Sequence, residues 1–225
     1  KTIMEDKEEE FEVSLSEGFE EKFHEFIGKM IHLKELNMKE IRTPKQPVRE
    51  FSLSEDGSNG INVLYNLFLE KNRIPERIES IISYIFPNTY LRFRLIEDGR
   101  ILLKVLEKNL GLNPPSISNG FYKILVILTA LELKPSILVI DEIENSLYAE
   151  ALEILIDELK NSESTIILTT HSPVVLDIIE PKDLIIVEKG EEGSIFRRIE
   201  KPKELKEKLS EAGITLSEKW LYGKL

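Results

Sequence analysis

The chain has 225 residues, 41% of them apolar, enough for one large domain or two small ones with a substantial core. A formal net charge of −11 argues against a non-specific nucleic-acid clamp, which needs clustered Lys and Arg, although a local basic face stays open. The lack of cysteine excludes a disulfide framework, a thiolate metal site and a cysteine nucleophile; the longest apolar stretch, Ile124–Leu131, is too short to span a membrane and no signal peptide is visible, so a cytoplasmic protein is expected.

In chain order, Phe11, Val13 and Leu15 alternate with polar residues, which predicts a half-exposed strand over 8–16. Phe19, Phe23, Phe26, Ile27, Met30 and Ile31 fall at helical spacing, so one amphipathic helix is expected over 18–33, with His24 and His32 as ordinary surface groups. Pro44 and Pro47 mark 42–50 as a linker or extended crossing. Helices are predicted at 61–71 and, from Ile74, Ile78, Ile81, Ile82 and Ile85, just after it. Beyond Pro87 the period changes to two on either side of Asp98-Gly99, the pattern of a β-hairpin.

From residue 116 helix and strand alternate. An almost entirely apolar helix over 120–133 leads through Pro135 into a strand at 137–140; a helix at 148–160, a strand at 165–169, a short helix at 174–179 and a strand at 184–187 follow. That order predicts βαβ units and a parallel sheet with right-handed crossovers. A hairpin around Gly190–Gly193 and a charged helix near 202–212 close the chain, while the Glu-rich stretch 5–10 and the Lys/Glu run 201–208 read as solvated faces.

Three short segments carry chemistry. Ile137-Leu138-Val139-Ile140 is a run of buried-strand residues followed by Asp141-Glu142, which puts two carboxylates at the C-terminal tip of a parallel strand, where open α/β sheets bind ligands. The run resembles the Walker B strand of nucleotide triphosphatases, and that resemblance implies that the first carboxylate holds the shell of a Mg²⁺, which keeps most of its waters, and that the second, if it points at the γ-phosphate, orients or deprotonates the attacking water. Alone, the run is equally a core strand ending in a solvated turn. Ser118-Asn119-Gly120 precedes the apolar helix; Ser118 is placed to cap it, and Gly120 would let a phosphate approach backbone N–H groups at the helix's positive end, though an ordinary capped helix has the same sequence. Thr170-His171-Ser172-Pro173 follows the next strand, so His171 would stand over the same crevice as the acids, or serve structure only.

Taken together, Ser118-x-Gly120 before a helix, Asp141-Glu142 about twenty residues on and His171 about thirty further resemble the second half of an ABC-superfamily ATPase head, with signature, Walker B, D-loop and switch histidine in order. More narrowly, the resemblance is to the RecF- and SMC-related, AAA-type predicted ATPases. It is firm over 113–179 and looser over 51–112, where Asp56-Gly57-Ser58-Asn59 precedes a helix. Tyr148-Ala149 stands where that pattern has His-Pro, and Asn119 and Phe121 depart from the transporter form of the signature.

The resemblance implies an α/β fold: the parallel core sheet of a P-loop ATPase head with flanking helices and an added antiparallel hairpin. It implies an N-terminal helical and hairpin region over 1–112, an ATPase core over 113–200 and a C-terminal helix and tail over 201–225. It also implies ATP hydrolysis with Mg²⁺ between two paired heads: Asp141 supporting the metal, Glu142 polarising water, His171 contacting the γ-phosphate, Ser118, Asn119 and Gly120 completing the opposite head's site, and Asn145 and Ser146 making D-loop contacts. The implied partners are a second head in a homodimer and DNA or an effector protein, in repair or defence.

No G-x-x-x-x-G-K-[ST] loop is present: before the two Gly-Lys pairs, Gly28-Lys29 and Gly223-Lys224, the position of the first glycine holds Phe23 and Glu218. The expectation is therefore a C-terminal portion whose Walker A lobe lies upstream or on another chain, and which is inactive alone. A scaffold that has lost nucleotide binding, or the ATPase part of a nuclease system, are the rival readings; some fifty residues beyond His171 leave no room for a Toprim nuclease domain.

Overall fold

The computed structural model describes residues 17–108, 110–191 and 193–222; the strand expected over 8–16 lies outside them. The helices are α1 (Glu17–Gly28), α2 (Met38–Arg42), α3 (Gly60–Lys71), α4 (Glu76–Ile85), α5 (Asn119–Glu132), α6 (Ala149–Lys160), α7 (Pro173–Ile178), α8 (Pro202–Ala212) and α9 (Leu216–Leu221). The strands are β1 (Ile31–Leu33), β2 (Thr89–Leu95), β3 (Ile101–Glu107), β4 (Leu110–Leu112), β5 (Ile137–Ile140), β6 (Thr165–Leu168), β7 (Ile185–Lys189) and β8 (Ser194–Arg198).

Among the described residues the strands form three sheets. A parallel sheet has the order β1-β5-β6, with Ile31 opposite Leu138 and Ile137 opposite Thr165; β2-β3-β4 form an antiparallel meander, and β7-β8 a hairpin. Each parallel connection carries a helix, as parallel pairing requires. The core is built on α5: residues 120–131 are buried without a break, so this helix is apolar all round because it has no solvent face. Each large side chain there contributes about 1.5–3 kcal/mol by leaving water. Ile78, Ile82 and Ile85 of α4, Leu152, Leu155 and Ile156 of α6, and Leu138 and Ile140 of β5 join the same cluster. The residues of opposite parity are less covered: Ile137 and Val139 are half-buried, and Ile167 of β6 is 50% exposed.

Two expectations are corrected here. The helix over 18–33 stops at Gly28, a poor helix former, and Ile31–Leu33 pair with β5 instead. The helical spacing runs on through Met30 and Ile31, but ladder hydrogen bonds and complete burial of Leu33 outweigh it. The strand expected at 184–187 does not extend the parallel sheet; it becomes β7 and pairs antiparallel with β8, as its short connection dictates. The 42–50 crossing is extended as expected, with Lys45 bridging Ile101 and the Asn62 and Asn66 amides donating to the Val48 carbonyl.

Candidate functional site

The parallel ladder runs to the tips of its strands, where Asp141 N–H donates to Leu33 O (2.9 Å) and Thr169 N–H to Ile140 O (3.0 Å). Directly beyond lies the turn Asp141–Leu147, anchored in the core by the fully buried Ile143. Asp141 is half-buried; its Oδ2 is 3.0 Å from His32 Nε2 on β1, and its Oδ1 accepts from the Thr169 hydroxyl at 3.4 Å. The Thr169 oxygen also accepts the Glu142 N–H at 2.8 Å.

Glu142 takes a left-handed conformation, φ 44°, which non-glycine residues adopt only where neighbours hold them. Its carbonyl accepts from Lys123 Nζ (2.6 Å) and from Asn145 N–H (3.0 Å), and its exposed carboxylate is met by the Asn145 side-chain amide. Ser146 is left-handed as well, at φ 66°.

Glu144 ties this turn to the segment after β6. One carboxylate oxygen accepts from the Thr170 hydroxyl (2.8 Å) and the other from the His171 N–H (2.6 Å). Burial pushes the Glu144 carboxyl up, but the His171 N–H, a second backbone N–H and the Thr170 hydroxyl outweigh it and hold the group below the usual carboxylate range. The His171 backbone is thus fixed while its residue remains exposed.

The start of α5 closes the site from behind. Ser118 Oγ caps the helix by accepting from Phe121 N–H at 3.1 Å, as its sequence position predicts. Arg42, at the end of α2, donates to Ile117 O (2.9 Å) and Asn119 Oδ1 (2.6 Å) and lies over the Tyr122 ring at 5.3 Å. A Cβ at Gly120 would overlap the Ser146 carbonyl oxygen, so the missing side chain makes room for the acid turn of this chain. Lys123, 6% exposed, is pulled down to about 8 by burial, against the attraction of Glu144 and Glu142.

A family described as "AAA domain, putative AbiEii toxin, Type IV TA system" matches residues 40–177, more than half of the chain. The chain belongs to this family. Among solved structures it is similar to an SMC head from work on ATP-driven dimerization and DNA stimulated activation of SMC ATPases, with a TM-score of 0.50 and 19% identity over 66% of this chain and 96% of that one. It is similar to an SMC head bound to the C-winged helix domain of ScpA (TM-score 0.56, 17% identity, 78% and 57% coverage). A third is the Pyrococcus furiosus Smc head with an extended coiled coil, bound to the C-terminal domain of ScpA (TM-score 0.50, 16% identity, 69% and 44% coverage). At these identities the likeness is one of fold, and the chain spans about half the length of the last two. No curated protein matches the chain. The α/β fold is similar to that of SMC heads, as the order of motifs implies.

Within this AAA-domain chain, Asp141, Glu142, Asn145 and Ser146 share one turn, Gly120 packs on it, and His171 is bound to it through Glu144. Five further residues were not singled out by the motifs: His32, Arg42, Lys123, Glu144 and Thr169. His32 in particular is no ordinary surface group, since it faces Asp141. Lys123 left a signal, as the one cation in an otherwise apolar helix. Nothing in the three-residue strand around His32 announces its partner.

Proposed function

We propose that this segment forms part of an ATP-hydrolysing site of the ABC type, in which ATP and Mg²⁺ lie between two heads and their closure drives a conformational switch. One observation carries the reading: a single turn, Asp141–Leu147, is bonded to both parallel strand tips and to α5, and leaves Glu142 and His171 exposed above them. The hard oxygen donors of Asp141 suit Mg²⁺, which needs no all-protein cage; bound there, the ion would neutralise phosphate charge. Among the described residues no group of three His, Asp or Glu side chains forms such a cage, which fits a metal held mainly by water and phosphate oxygens.

In this reading Glu142 accepts a proton from, or orients, the attacking water, and the His171 ring hydrogen-bonds the γ-phosphate. Asn145 and Ser146 shape the turn, and Ser118 with Asn119 at the α5 start faces the opposite head. Such a reaction is positioning plus charge stabilisation, which is what a turn fixed from three sides can provide.

In this reading the phosphate-binding loop is supplied by residues outside these 225, upstream or on another chain. The sheet supports a place for it: β6 is an edge among the described strands and Ile167 is half exposed, whereas parallel strands are ordinarily covered on both faces. Pairing of heads as a homodimer, a DNA or effector partner in repair or defence, and a cytoplasmic setting belong to the same proposal. No helix among the described residues is long and apolar enough to cross a membrane.

The test is Glu142→Gln in the protein at its full natural length. Binding of a labelled ATP analogue should persist while turnover falls by about 10²–10⁴-fold. Hydrolysis at the unmutated rate would remove Glu142 from the reaction, and failure of the unmutated protein to bind ATP would favour a non-catalytic platform.

A further inference from the structure

Lys123 has no role in the motifs, yet it occupies the most constrained position in the site. It is the only cation within twelve consecutive buried residues of α5. A buried ammonium is a poor way to stabilise a core, because desolvation opposes it and an apolar residue of similar size packs as well or better. Its Nζ reaches across to one backbone oxygen, that of Glu142, at 2.6 Å.

Glu142 is the residue whose backbone most needs holding. Its φ of 44° persists because its N–H is fixed by Thr169 Oγ1 at the tip of β6 and its carbonyl by Lys123 of α5, with Asn145 N–H as the local partner. That backbone fixes where the Glu142 side chain leaves the turn, and so the region its carboxylate can reach. Lys123 also lies on the same end of α5 as Ser118 and Gly120, so a displacement of the helix start reaches Glu142 through one hydrogen bond.

We propose that Lys123 is a positioning residue which sets the reacting direction of Glu142 and links it to the α5 segment that meets the opposite head. The proposal rests on the ATPase reading above. Lys123 touches neither nucleotide nor water in it; it acts through the Glu142 peptide.

The experiment compares Lys123→Met, Lys123→Arg and Glu142→Gln with the unmutated protein at full natural length, following ATP binding, kcat, KM and Tm. Lys123→Met should lower kcat on the order of 100-fold, as a misplaced reacting group does, with KM and ATP binding unchanged and Tm no lower. Lys123→Arg, which keeps a charged donor, should recover part of kcat. Unmutated kcat in Lys123→Met would overturn the proposal. So would a fall in kcat that tracks a fall in Tm in both Lys123 variants, since that assigns the residue to folding alone. If Glu142→Gln is inactive while Lys123→Met is fully active, only this proposal fails; if Glu142→Gln turns over at the unmutated rate, Glu142 is not the reacting group and this proposal falls with that role; if the unmutated protein neither binds nor hydrolyses ATP, the ATPase reading fails.

Discussion

Gly120→Ala isolates the contact between α5 and the acid turn. A Cβ at this position would sit 3.3 Å from Leu147 Cδ2 and 3.4 Å from the Ser146 carbonyl carbon, and would overlap the Ser146 oxygen itself. The Leu147 methyl can rotate away, but the Ser146 oxygen is backbone in a turn pinned by Lys123, Thr169 and Glu144. Relaxed carbon-to-oxygen contacts start near 3.3 Å, so the two elements must separate by on the order of 1 Å. Overpacking of that kind costs about 1–3 kcal/mol. The helical preference of Ala over Gly returns at most ~1 kcal/mol, and less here because residue 120 is only the second of its helix. The expected net loss is ~1–2 kcal/mol, or a Tm lower by about 2–8 °C for a protein of this size. Gly28→Ala is the control, since a Cβ there meets nothing within 4 Å and should change stability by less than about 0.5 kcal/mol. Urea unfolding of both variants decides the matter: a Gly120→Ala protein as stable as the Gly28→Ala control would show that the turn does not bear on the helix as described.

Glu144→Gln should weaken the tie to Thr170 and His171 by about 1–3 kcal/mol at neutral pH, because two donors lose a charged acceptor. Since the folded carboxyl lies below its ordinary 4.5, its contribution is present above that value and disappears as pH falls through the folded one; the variant's stability should therefore fall less steeply in acid, and parallel Tm curves between about pH 3 and 7 would contradict this. For Lys123 the sign reverses. Its folded value of about 8 lies below the ordinary 10.5, so the unfolded chain holds the extra proton between them and stability rises with pH across that window, by roughly 3 kcal/mol at most. Lys123→Met should remove this rise, read as a smaller difference between urea midpoints at about pH 7 and 10 than the unmutated protein shows; equal differences would refute it.

The parts of the fold legible in the sequence are those where one local pattern decides the outcome. The apolar run of α5, its Ser118 cap and the strand Ile137–Ile140 need only their own residues to be recognised. β1 is different: three residues become a strand because β5 offers them a ladder, and the helical spacing that runs into them carries no information about that partner. The same holds for α9, whose first turn is fixed when Asp177 accepts from the Ser217 N–H and hydroxyl, forty residues away in sequence. In the site, Asp141, Glu142 and His171 are legible because residue type and position at strand tips coincide. Glu144, Arg42 and His32 are not, because what they do depends on the group facing them across the fold.

The carboxylates of the turn differ in how they are held, and the difference is consistent with the tasks proposed for them. Three lie within four residues of a chain that is already strongly acidic, so each needs a local partner to limit their mutual repulsion. Asp141 has His32 and Thr169 from the two neighbouring strands, and Glu144 has both donors of the segment after β6. These partners come from other elements and immobilise the acids. Among the described residues the Glu142 carboxylate is met by the Asn145 amide, three residues along, while its backbone is gripped on both sides. A fixed backbone beneath an exposed, lightly held carboxylate fits the role proposed for Glu142, to meet water and exchange a proton, whereas Asp141 and Glu144 are held by groups from other elements. The two ways of holding an acid thus coexist in one seven-residue segment, with Lys123 gripping the Glu142 backbone from α5.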